Sequence, residues 1–138
     1  MLGRKKRPGQ SYVEFVLVLP LLLLLVAGVI AFGQAFYVKL ATQAAAWSGA
    51  RHAIATVNGQ RGVWQGYTAP RYTLAGFGVN PETAQVTVAA DVWGRGTNVQ
   101  VQVCYPVPAP PVPFGDRLIP TNICSQTLMP TYKWKAKW

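Results

Sequence analysis

The chain has 138 residues, 51% of them hydrophobic and only 12% charged, and a net charge of +9. That length holds one small domain with an appendage, not two full cores. The only acids are Glu14, Glu82, Asp91 and Asp116, the only histidine is His52, and Cys104 and Cys124 alone cannot complete a four-ligand zinc site, all of which argues against a self-contained soluble enzyme.

The basic run Arg4-Lys5-Lys6-Arg7 stands just ahead of nineteen uncharged residues, Phe15 to Gly33. As a helix rising about 1.5 Å per residue, that stretch nearly matches the ~30 Å hydrocarbon core of a bilayer. The positive-inside rule puts the N-terminus in the cytoplasm and everything after about Lys39 on the other side. This predicts a single-pass protein of the cytoplasmic membrane. A cleaved secretory signal is the competitor, with Ala31-Phe32-Gly33 as its cleavage site. Its apolar stretch should run only about 7–15 residues, however, and here the helical pattern continues. Phe36, Leu40, Ala44, Trp47, Ala50, Ile54 and Val57 recur every three or four residues. One helix from about Tyr12 to Ala55 would be roughly 66 Å long, apolar in its first half and amphipathic in its second. Pro20 removes one of its hydrogen bonds and should bend or loosen it. Ala27, Ala31 and Ala35 form a small-residue stripe that permits close helix approach.

Glu14 is an acid at the edge of this apolar segment. Read alone, it either compensates a helix N-terminus in the headgroup region or marks function. Its surroundings carry more. Arg7 to Phe15 reads RPGQSYVEF and runs into VLVLPLLLLLV. This resembles the class III signal of type IV pilin-like precursors, specifically the TadE-like minor pseudopilins of tight-adherence (Tad/Flp) pilus systems. GARHA from Gly49 and NVQVQVCYPVPAP from Asn98 resemble the family's later segments more loosely. The crowding of Trp64, Tyr67, Tyr72 and Phe77 departs from the family, so no surface function is carried over.

The resemblance implies that a prepilin peptidase removes the leader on the cytoplasmic face, cutting between Gly9 and Gln10. Glu14 is then the fifth residue of the mature chain. The new amine on Gln10 must lose water when helices bundle, and a neighbour's Glu14 carboxylate offsets that cost, setting the axial stagger. Gly9, lacking a side chain, suits a narrow protease cleft, although a turn glycine after Pro8 would look the same.

Beyond Val57, Asn58-Gly59 and Gly62 break the helix, and the stretch to Gly78 reads as irregular with at most one short helix. Asn80-Pro81 is a turn. Ala84 to Val92 alternates Val86, Val88, Ala90 and Val92 against polar residues, and Asn98 to Tyr105 does the same with Val99, Val101, Val103 and Tyr105. With Gly94-Arg95-Gly96 between them, these form an antiparallel hairpin. Pro106 to Pro113 is an extended loop, and Asn122 to Leu128 is a third strand. The fold class is therefore α+β and pilin-like: a leader (1–9), a transmembrane and amphipathic helix (10–57), and an extracytoplasmic β-rich domain (58–138) leaning on that helix.

Cys104 and Cys124 fall on the side that permits disulfides and bracket the proline loop, which favours an intramolecular bridge over two reduced thiols or an intermolecular bond. No nucleophile elbow, nucleotide loop or metal-ligand spacing is present, so no catalytic residue, metal or cofactor is expected. The tail Tyr132 to Trp138 alternates aromatics with lysines. It is either a lysine-guarded edge strand or a weak binder of anionic surfaces.

The sequence thus predicts a non-enzymatic minor pilin acting in assembly, priming or tip decoration of a Tad-type adhesive pilus. Its partners are the cytoplasmic membrane, the prepilin peptidase, other pilus subunits and the assembly platform. It ends in the cell envelope or the pilus. The rival is an uncleaved, signal-anchored envelope protein with an adhesive, sensory or nucleic-acid-capturing domain.

Overall fold

A computed structural model describes residues 10–56, 58–90, 96–107 and 121–131. The chain divides into two compact units, Met1–Gln34 and Ala35–Trp138. The elements are α1 (Gln10–Ala55), α2 (Gly59–Gly76), β1 (Gln85–Ala90), β2 (Asn98–Pro106) and β3 (Asn122–Pro130).

In the first unit, α1 continues unbroken through Pro20, and every large apolar side chain described from Tyr12 to Phe32 is exposed. Such a surface is stable in lipid, where the helix satisfies its own backbone bonds and the side chains need no protein partner. Ala31 is the one buried hydrophobic residue described in this unit.

The second unit has one core. The later turns of α1 supply Ala41, Ala45, Ala46, Ala50, Ala53 and Ile54, α2 adds Leu74, and β2 contributes Val99, Val101 and Val103. This corrects the expected stripe. Ala50 and Ile54 are inside, but Phe36, Leu40 and Trp47 are exposed. Packing distance explains the choice: an alanine face lets α1 approach its neighbours closely, and its bulky residues are left on the outside.

The region from Asn58 to Gly78, expected to be irregular with at most one short helix, forms the 18-residue helix α2. Asn58 does not merely end α1; it caps α2, accepting a hydrogen bond from the Gln60 N–H at 3.1 Å. Gly62 lies inside the helix and is buried. The helix closes in a Schellman motif. The Val79 N–H reaches the Leu74 carbonyl, the Gly78 N–H reaches that of Ala75, and Gly78 takes φ +70°. Leu74 and Val79 both enter the core, supplying the apolar contact that accompanies this motif.

The strands form an antiparallel meander in the order β1-β2-β3. Three cross-strand rows share one face: Val86–Val103–Ser125, Val88–Val101–Thr127 and Ala90–Val99–Met129. The three β2 valines are fully buried, each worth about 1.5–3 kcal/mol. Period-2 geometry sends Cys104, Gln102 and Gln100 to the opposite face. β1 and β3 have bounds slightly different from those expected, and β3 runs on to Pro130. Pro106 ends β2, and the Val107 N–H bonds the Thr121 carbonyl at 2.9 Å. The proline-rich remainder, the leader, Gly94-Arg95 and the Tyr132 to Trp138 tail lie outside the described residues.

Candidate functional site

The residues singled out from sequence fall in both units. Gly9 lies outside the described residues, and Gln10 begins α1. Glu14 is exposed one turn further on, between the exposed Val13 and Phe15. A carboxylate in so apolar a surface is costly in lipid unless it stays in the headgroups or finds a cationic partner.

Cys104 and Cys124 stand directly opposite each other on β2 and β3, with Cα atoms 4.0 Å apart, and are joined in a disulfide. The bond lies on the face away from the buried valines, so it staples the ladder and adds nothing to core packing. Next to it, the Lys39 ammonium of α1 donates to the Cys124 carbonyl at 2.7 Å. One turn along α1, the Thr42 and Ser125 hydroxyls meet at 3.0 Å, and both residues are buried. Thr42 also donates to the Lys39 carbonyl at 3.0 Å. If that bond uses its proton, Ser125 must donate to Thr42. Sequence reading missed this pair, since a threonine and a serine 83 positions apart carry no local signal.

The contact between α1 and α2 was equally hidden. A Cβ on Gly49 would stand 2.6 Å from Pro70 Cγ, and one on Gly66 would stand 3.2 Å from both the Ala53 Cβ and a Val88 methyl. Pro70 has no N–H to donate, which leaves the Gly66 carbonyl without its usual helical donor at the same crossing. The glycine of GARHA was visible as a motif, but its packing partner was not.

His52 is exposed, with Nδ1 2.8 Å from the Ser48 carbonyl. Arg51 lies 5.0 Å from the centroid of Trp47, and Arg71 lies 4.4 Å from that of Tyr67. Arg71 also donates to the Tyr67 hydroxyl at 2.5 Å and pairs at 3.8 Å with the largely exposed Glu82. Among the described residues, no group of three His, Cys, Asp or Glu side chains could hold a metal ion.

Among the described residues one helix, near the N-terminus, is long and apolar enough to cross a membrane, and with the small α+β unit after it this fits a single-pass membrane protein. Residues 9–51, from Gly9 to Arg51, match the family described as TadE-like protein. Proteins of that family are structural and non-catalytic, associate with membranes and have pilus partners. No curated protein and no solved structure matches the chain.

Proposed function

We propose that this protein is a minor pilin or pseudopilin that takes part in assembly, priming or tip decoration of a Tad-type pilus. The supporting observation is the extent of the family match, which begins at Gly9 and ends at Arg51. It therefore takes in the cleavage glycine, Glu14 and α1 almost to its end. An apolar surface on α1 fits this reading. Phe36, Leu40 and Trp47 remain exposed on a helix whose alanine face is already occupied, as a helix requires if it is to pack against further helices.

In this reading the chain enters the membrane with its N-terminus in the cytoplasm and its C-terminal unit outside. A prepilin peptidase cuts between Gly9 and Gln10, and Glu14 then offsets the desolvated Gln10 amine of a neighbouring subunit. N-terminal sequencing of the membrane-extracted protein tests it, from cells with an active prepilin peptidase. A chain beginning at Gln10 is expected. A chain beginning at Met1 would favour an uncleaved anchor, and one beginning at Gln34 a secretory signal. Gly9→Trp should block processing by filling the cleft.

A further inference from the structure

Within the second unit, α1 and α2 cross closely at Gly49, Gly66 and Pro70, and beside that crossing lies an open groove of about 490 Å³. Ser48 and His52, one turn apart, line its α1 side. On α2, Trp64, Thr68 and Tyr72 fall on one face at intervals of four, with Gln65 beside them. Trp64 and Tyr72 are 68% and 79% exposed. They stand about 12 Å apart along the helix axis, by the 1.5 Å rise. These two rings are held in water by a helix that is buried along Gly62, Gly66, Pro70 and Leu74, and an aromatic ring in water is surface available for a partner.

We propose that this groove binds an uncharged glycan. The lining has the two elements such a ligand requires. Trp64 and Tyr72 offer flat apolar faces for the C–H faces of sugar rings, and amide, hydroxyl and imidazole groups lie between them for the sugar hydroxyls. Two of those groups are available: the Gln65 amide and the Tyr72 hydroxyl make no side-chain hydrogen bond with another described residue. A third follows from His52. The Ser48 carbonyl only accepts, so Nδ1 carries the proton of that bond and Nε2 is left outside it. The groove lining contains no lysine, arginine or carboxylate. Single-stranded nucleic acid also stacks on aromatics, but it needs a basic track for its phosphates, which this groove lacks. A purely apolar peptide would leave the amide and hydroxyls unpaired.

The test uses the full-length protein in a non-glycosidic detergent, because a maltoside headgroup is itself a neutral disaccharide. Retention is measured on immobilised dextran, cellulose and chitin, and affinity by titration with the matching oligosaccharides. We expect retention on at least one matrix, insensitive to salt. Trp64→Ala and Tyr72→Ala should each weaken binding about tenfold, the loss that accompanies removal of one stacking platform. Leu128→Ala, an exposed apolar residue on β3, should bind normally. Circular dichroism melting confirms that all three variants fold. No retention on any matrix, or an equal loss in Leu128→Ala, would overturn the proposal. So would capture of single-stranded DNA or heparin in place of the neutral polymers, with steep salt dependence, which would assign the groove to polyanions.

Discussion

Gly49 of α1 lies against Pro70 of α2 so closely that a methyl group on Gly49 would stand 2.6 Å from Pro70 Cγ and 3.0 Å from the Gly66 carbonyl oxygen. Neither neighbour can yield cheaply, because one is a rigid ring and the other is backbone. Gly49→Ala should therefore force the helices apart and destabilise the second unit by about 1–3 kcal/mol, against the usual gain from replacing a helical glycine. Gly76→Ala, at the end of α2 with nothing within 4 Å of its Cβ, should be neutral within about 1 kcal/mol. Denaturant melts of the two variants, side by side, check the difference.

Thr42→Val should cost about 1–3 kcal/mol, because it leaves the buried Ser125 hydroxyl without its partner at 3.0 Å. Thr42→Val combined with Ser125→Ala should recover part of that loss, since no orphaned hydroxyl then remains. A double-mutant cycle on unfolding free energies measures the coupling. Strict additivity would show that the two hydroxyls do not interact in solution.

Reduction of the disulfide, or the double change Cys104→Ser and Cys124→Ser, should lower stability by about 3 kcal/mol through the freed loop of 20-residue separation. The core should survive, because the bond lies on the face opposite Val99, Val101 and Val103. Non-reducing peptide mapping of the membrane-extracted protein should return one linked pair, and full alkylation of both thiols under denaturation would refute it.

Glu14→Ala should leave the second unit folded while impairing incorporation with other pilus subunits. A carboxylate buried beside a neighbour's Gln10 amine would be worth about 3–5 kcal/mol when its partner is lost, whereas the same pair in hydrated headgroups gives about 0–1 kcal/mol. Crosslinking and co-purification of the cleaved variant distinguish the two. Normal co-assembly would make Glu14 a bystander.

Much of the architecture was legible locally. Nineteen uncharged residues behind a basic run mark the helix that is long and apolar enough to cross a membrane, since lipid demands a self-satisfied helix of that length and composition. The alternation of Val99, Val101 and Val103 identifies a half-buried strand because side chains change face at every residue. The RPGQSYVEF run with Glu14 pointed to the TadE family that residues 9–51 match. Each of these signals lies within a short stretch of chain.

What the tertiary structure decided is which apolar residues are inside and what α2 is. Large side chains at helical spacing suggested that Phe36, Leu40 and Trp47 would be buried, yet the core took the alanines, because closeness of approach rather than side-chain size sets how well α1 packs here. Gly59 and Gly62 argued locally against a helix. They form one because Gly66 and Pro70 fit against Ala53, Val88 and Gly49, contacts that exist only once distant parts of the chain have met. Helix propensity differs by about 1 kcal/mol per glycine, and a close-packed crossing outweighs it. The pairing of Thr42 with Ser125, and the groove that Trp64 and Tyr72 flank, arise from those same long-range contacts.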